Sequence, residues 1–170
     1  YIKRDDFTGM SLFGGNKIRK LQYLIGDALS QGCEYVFTFG ATQSNHAMLT
    51  AACAAKLGMS AILVLKKRGV LSGGNLILDE IFGAEVRFVD TDSYDGVYAE
   101  MERIMADRRA QGHTPYFIPV GGSVPLGCLG YVNCAKEIAN QAEDLGVDFD
   151  IIVSATGSGG TYAGLTLGAK

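Results

Sequence analysis

Short apolar runs alternate along the chain with stretches whose apolar residues recur at helical spacing. The alternation predicts repeated strand–helix–strand units around a parallel sheet. The first helix is expected from about Lys17 to Ser30, with Ile18, Leu21, Ile25, Ala28 and Leu29 on one face and Gly32 beyond its end. Tyr35 to Phe39 reads as a buried strand ending at Gly40, and a helix from about Asn45 to Leu57 follows, closed by Gly58. Ala61 to Leu65 is the next strand. Lys67 to Gly74 reads as a basic, glycine-containing loop, and Asn75 as the cap of a short helix that stops at Gly83. Next come a strand at Glu85 to Val89 and a polar-faced helix capped by Asp92 or Ser93 and running to about Gln111. Pro115 to Pro119 is a short strand, and its two prolines place it at a sheet edge. The pattern ends with a helix from about Leu129 to Leu145, a strand at Ile151 to Ala155 and a helix from Thr161. Every connection between successive strands holds a helix, the condition for right-handed parallel crossovers.

Composition narrows the class. Of 170 residues, 48% are apolar and 19% charged, which suits a packed α/β core and excludes a disordered chain. Fifteen basic against 18 acidic residues leave a net charge of −3, with no electrostatic footprint for nucleic acid or an anionic membrane. No apolar run approaches the roughly 18 residues of a membrane span, and no signal-peptide pattern opens the chain. Cys33, Cys53, Cys128 and Cys134 form no CxxC pair, and with only His46 and His113 beside them a zinc cage is not expected, nor any other metal site. Thiols in apolar helical surroundings suit a reducing compartment, so a cytoplasmic location is expected. The first residue is Tyr1 and the last helix stops without a cap, so a piece of a longer polypeptide is expected. In that division 35–120 forms a complete small α/β domain, and 1–34 with 121–170 forms part of a larger one.

Glycine is the outlier, with 23 residues against the roughly 12 that average usage gives. The densest cluster, Ser154-Ala155-Thr156-Gly157-Ser158-Gly159-Gly160-Thr161, follows an apolar run and opens a helix. Bare N–H groups and hydroxyls in that context suit a phosphate; a turn with only a packing role is the alternative. The standard nucleotide loops fail here: a dinucleotide fingerprint needs glycine where Tyr162 stands, and a Walker loop from Gly9 needs lysine where Gly15 stands. A second cluster, Gly14-Gly15-Asn16, places Lys17, Arg19 and Lys20 in a first helical turn with Asn16 as N-cap, against the helix dipole. A solvated basic helix start is one account of these cations. An anionic ligand, with Lys17 held as the neutral amine that Schiff-base chemistry needs, is the other. The third element is Gln43-Ser44-Asn45-His46 at the carboxyl edge of a strand, where Ser44 serves as helix N-cap or, with Asn45, faces a ligand. No G-x-S-x-G elbow accompanies Ser44 and no aspartate is spaced for a triad, which argues against a serine hydrolase. His46 reads as structural.

Gly14-Gly15-Asn16-Lys17-Ile18-Arg19-Lys20-Leu21, Gln43-Ser44-Asn45-His46, Pro125-Leu126-Gly127 and Thr156-Gly157-Ser158-Gly159-Gly160-Thr161 together resemble the pyridoxal-phosphate enzymes of fold type II. Within these tryptophan synthase β-like folds, the chain is most similar to the branch of D-cysteine desulfhydrase and 1-aminocyclopropane-1-carboxylate (ACC) deaminase. The resemblance extends over essentially the whole chain. It implies parallel sheets with flanking helices, the small domain complete and the large domain partial, and pyridoxal 5'-phosphate as cofactor. It implies that Lys17 forms the Schiff base and moves the Cα proton, and that Asn45 hydrogen-bonds the ring hydroxyl. Thr156, Gly157, Ser158, Gly159, Gly160 and Thr161, with Lys20, would hold the phosphate, and Ser44 would contact the substrate carboxylate or assist proton movement. The expected activity is D-cysteine desulfhydrase-like β-elimination to pyruvate, sulfide and ammonia. The alternatives are ACC deamination, another fold type II reaction, or a non-catalytic anion-binding fragment. A small amino-acid substrate and a homodimer are implied, with no nucleic-acid or membrane partner. One departure stands out: Met48 occupies the place, two after His46, where relatives usually carry arginine.

Overall fold

A computed structural model describes residues 1–10, 13–67, 72–91 and 93–170. In chain order the elements are β1 (Gly9–Met10), β2 (Phe13–Gly14), α1 (Asn16–Ser30), β3 (Tyr35–Ala41), α2 (Asn45–Lys56), β4 (Ser60–Lys66), α3 (Asn75–Ile81), β5 (Glu85–Val89), α4 (Tyr94–Ala110), β6 (Pro115–Phe117), α5 (Pro125–Leu145) and α6 (Gly160–Gly168). They fall into two compact units, Tyr1–Leu24 with Gly121–Lys170, and Ile25–Val120. Among the described residues no helix is long and apolar enough to cross a membrane.

The unit of residues 25–120 is built on an all-parallel sheet in the order β5-β4-β3-β6. Its central strands are apolar on both faces, as a sheet covered on both sides requires. On one face Phe37, Phe39, Ile62 and Val64 pack with Val97, Met101, Ile104 and Met105 of α4. On the other, Val36, Ala61, Leu63 and Leu65 are buried with α2, which also places His46 against Thr38. The Thr38 hydroxyl donates to the Ile118 carbonyl at 2.8 Å, so it accepts from His46 Nε2 at 3.0 Å. His46 is thereby held as part of the core. β6 is an edge strand, as its flanking prolines predict.

In the other unit, α5 and α6 pack through Tyr131, Cys134, Ala135 and Leu165. Glycines let the helices approach. A side chain at Gly164 would collide with the Cys128 carbonyl and Tyr131, and one at Gly130 with the Arg19 backbone of α1. β1 and β2 form a small antiparallel pair, Gly9 opposite Gly14, that the apolar pattern did not announce.

Several local expectations change. α5 begins at Pro125, not near Leu129, because proline at the first helical position already has helical φ and lacks an N–H that would be left unpaired. Asn16 and Asn75 are first helical residues, not caps; Gly15 (φ 130°) and Gly74 (φ 56°) precede them in backbone conformations that glycine allows. Ser93 caps α4 by accepting from Asp95 N–H at 3.1 Å, while the alternative cap, Asp92, lies outside the described residues, as does 68–71 of the predicted loop. Leu29 is exposed, and the fully buried Lys20 takes a place in α1 among Leu21, Leu24 and Ala28. The predicted strand Ile151–Ala155 is not a strand: Ile151 is 78% and Val153 90% exposed, and no described residue offers it a ladder partner. An extended run becomes a strand only through a neighbour's N–H and C=O groups.

One buried group stands apart from this packing. Asp79 of α3 is 1% exposed, and neither carboxylate oxygen has a hydrogen-bond partner among the described residues. Burial pushes its carboxyl up to about 7. Between the ordinary carboxylate value and that point the unfolded chain is ionised and the folded one is not, so stability falls as pH rises through this window. Asp79→Asn removes the titration. Its stability relative to wild type is expected to rise from pH 4 to pH 7.5 by about 3–4 kcal/mol, the equivalent of about three pKa units. Urea unfolding at both pH values checks this, and a pH-independent difference would contradict it.

Candidate active site

The three cations of the first turn of α1 separate according to what surrounds them. Arg19 is taken by the chain's own carboxylates: Nε donates to Asp5 Oδ1 at 3.0 Å and Nη1 to Glu137 Oε2 at 2.9 Å. Lys3 also bonds Glu137, and the Tyr131 hydroxyl donates to Asp5 at 2.6 Å. Arg19 therefore ties α1 to α5 and the amino-terminal segment. Its place against the helix dipole needs no ligand to explain it.

Lys20 is different. Its side chain is fully buried, and Nζ donates to the Gly121 carbonyl at 3.2 Å and Ser123 Oγ at 3.0 Å. Two of its three N–H donors are thus satisfied by neutral oxygens, and no carboxylate pairs with it among the described residues. Burial, and then the nearby charge of Lys17, lower its pKa to about 8. Half-buried Lys17 is likewise shifted below the ordinary lysine value by burial.

Around Lys20 the site is walled by hydroxyls and floored by glycine. Ser123 Oγ and Ser158 Oγ are 2.7 Å apart. A Cβ on Gly160 would stand 2.6 Å from Ser123 Oγ and 2.8 Å from Lys20 Nζ. One on Gly121 (φ 67°) would stand 2.6 Å from Ser158 Oγ and 3.6 Å from Lys17 Nζ. These two absent side chains leave open the space onto which both ammonium groups and both hydroxyls converge. α6 begins at Gly160 after Gly159 (φ 83°), and no side chain caps its first turn. Its leading N–H groups therefore have no intrahelical acceptor. Cations, hydroxyls and uncapped N–H groups form a donor set, with no competing carboxylate among the described residues, for a phosphate dianion. Thr161 stands in that first turn, and Thr156 and Gly157 in the exposed loop before it.

The expectation for this region missed Ser123 and Gly121. Gly121-Gly122-Ser123 has the same small-residue, hydroxyl-bearing composition as the loop at 157–160, and that likeness was the available signal. Ser44 and Asn45 lie in the unit of residues 25–120. Ser44 is the N-cap of α2, with Oγ accepting from Ala47 N–H at 3.2 Å. Gly40 accommodates it, since a Cβ there would sit 2.7 Å from Ser44 Oγ. Asn45, exposed at the helix start, accepts at Oδ1 from Asn75 Nδ2 at 2.8 Å.

The chain matches known proteins along its whole length. The PALP family, described as pyridoxal-phosphate dependent enzyme, matches residues 1–170. A Pyrococcus horikoshii relative to which 1-aminocyclopropane-1-carboxylate deaminase activity is ascribed is 52% identical over 99% of this chain and 50% of its own length. The D-cysteine desulfhydrase of Serratia proteamaculans is 45% identical over 100% of this chain and 52% of its own. The crystal structure of an ACC deaminase homologue superposes with a TM-score of 0.90 at 52% identity, covering 99% of this chain and 50% of that one. The chain thus spans about half the length of the curated relatives it matches.

The state of Lys20 gives a measurable consequence. Between pH 8 and the ordinary lysine value near 10.5 the unfolded chain holds a proton that the folded one has released, so this group favours folding as pH rises. Against Lys20→Met, wild type is expected to gain about 2–3 kcal/mol of stability across that window. Inorganic phosphate at pH 7.5 is expected to raise the Tm of wild type and not that of the variant. Equal phosphate response in both would remove Lys20 from the anion site.

Proposed function

Because this chain belongs to the pyridoxal-phosphate dependent enzyme family, we propose that it carries the attachment lysine and phosphate site of a D-cysteine desulfhydrase-like lyase. Such an enzyme converts D-cysteine and water to pyruvate, hydrogen sulfide and ammonia. The observation that carries the proposal is the pair of lysines one helical turn apart, one sealed in and fixed, the other half-buried beside it with lowered proton affinity.

The residues fit the cofactor that the family's name supplies. Lys20, Ser123, Ser158 and the first turn of α6, from Gly160 to Thr161, hold the phosphate; Gly121 and Gly160 keep the space clear. Thr156, Gly157 and Gly159 shape the loop that delivers these groups. Asn45 donates from its carboxamide to the ring hydroxyl, and Ser44, whose Oγ already accepts from Ala47 N–H, keeps its proton to donate to a substrate carboxylate. The bound cofactor supplies an electron sink for the pair left when a proton is removed from the substrate Cα. Lys17 Nζ is the base that takes that proton, and its lowered pKa keeps a larger share of it neutral than an exposed lysine would have. The thiolate then leaves from Cβ.

Chemical economy favours this reading over ACC deamination, which the 52% identical relatives favour by name. The Cα of aminocyclopropane carboxylate carries no hydrogen, so a base placed for Cα has nothing to remove, and ring opening needs a further acid–base group. β-Elimination needs only the amine that Lys17 provides. The full-length protein should release pyruvate and sulfide from D-cysteine, and Lys17→Ala should lower this at least 10³-fold. Formation of 2-oxobutanoate from aminocyclopropane carboxylate without pyruvate from D-cysteine would establish the deaminase instead. Undiminished turnover by Lys17→Ala would overturn both.

A further inference from the structure

Asn45 is not free to turn either of its amide atoms toward a ligand. In the unit of residues 25–120, the turn before α3 and the loop after β3 are joined by a set of hydrogen bonds whose directions are fixed by backbone groups. Asn75 Nδ2 lies 3.0 Å from the Gln43 carbonyl, an atom that only accepts, so Asn75 presents its nitrogen there. The same nitrogen directs its other hydrogen to Asn45 at 2.8 Å, so the Asn45 atom that meets it is the oxygen. The anchor is itself held at both ends. Asn75 N–H donates to Gln43 Oε1 at 2.8 Å, and Gln43 Nε2 donates to the Gly73 carbonyl at 3.1 Å. Each of these described bonds fixes which atom donates and which accepts. Rotating the Asn45 amide by 180° would set its NH2 against the Asn75 NH2 and lose the bond between them.

We propose that Asn75, braced by Gln43, is a positioning residue that locks the Asn45 carboxamide with Nδ2 as the atom offered to a ligand. Position 45 then selects an oxygen acceptor, best an anionic one, since a charged acceptor strengthens the bond. This rests on the reading of Asn45 as the residue that meets the cofactor's ring hydroxyl: the locked amide stabilises that oxygen in its deprotonated form. Gln43 acts on the same atom at one remove, through the Asn75 backbone. Neither residue was singled out for chemistry by the sequence pattern, where Asn75 reads only as a helix cap.

The test is a double-mutant cycle on the full-length protein, read by the Kd of pyridoxal phosphate and by the visible absorbance of the bound form. Asn45→Ala and Asn75→Ala are each expected to weaken binding about tenfold, the equivalent of losing one hydrogen bond to a charged group. Both should shift the visible band in the same direction. In the Asn45→Ala background, Asn75→Ala should add nothing. Asn75→Asp keeps the shape of the side chain and guards against misfolding. Its carboxylate recruits Asn45 Nδ2 for itself, so it should weaken binding more than Asn75→Ala does, and only when Asn45 is present. Equal losses from the Asn75 variants in both backgrounds would overturn the positioning role. Unchanged affinity and spectrum in Asn45→Ala would instead overturn the assignment of Asn45, and the inference with it.

Discussion

A buried ammonium held by neutral oxygens is the constraint around which the unit of Tyr1–Leu24 and Gly121–Lys170 is arranged. Lys20 occupies a position on α1 that helical periodicity would give to an apolar residue, beside the buried Leu21 and Leu24. Removing a charge from water is costly unless hydrogen bonds replace hydration. Here the replacement comes from the Gly121 carbonyl and Ser123, which draws the 121–123 loop onto α1, and from Ser158 beyond it. The glycines fit the same arrangement, since a side chain at 160 would press on the Lys20 ammonium and one at 121 on Ser158, with Lys17 Nζ beyond it. A site of this kind is strained toward losing its proton, and a phosphate dianion relieves that strain.

Neighbouring cations in one helical turn thus have three separate fates. Arg19 is neutralised by Asp5 and Glu137 and binds secondary structure together. Lys20 is fixed as a donor. Lys17, half-buried and not immobilised in the same way, is the one left to react. By local pattern alone the three form a single anomaly against the helix dipole. Their differences come from tertiary partners 14 to 118 residues away, which no local pattern encodes.

Much of the frame was readable. Short apolar runs and period-3.6 patterns located the four parallel strands and the helices between them, and prolines placed β6 at the edge. What failed was what depends on a partner. Ile151–Ala155 has the composition of a strand, but a ladder is a property of two segments, and the run lies exposed. Asn75 has the chemistry of a cap, yet it is Gln43, 32 residues earlier, whose side chain accepts its N–H, freeing the Asn75 amide to hold Asn45. Ser123 sits in a short loop whose likeness to 157–160 gains meaning only once Lys20 is seen bonded to it. The motifs themselves, GGNK, QSNH and TGSGGT, were legible because glycine and hydroxyl clusters at the start of a helix have few uses.

The account turns on a division of labour between two lysines three residues apart, Lys17 as the reacting amine and Lys20 as the phosphate's cation. Borohydride reduction of the full-length protein loaded with pyridoxal phosphate, followed by peptide mapping, addresses it directly. A pyridoxyl group on Lys17 Nζ with Lys20 unmodified is the expected result. A pyridoxyl group on Lys20, or on no residue of the α1 first turn, would contradict it.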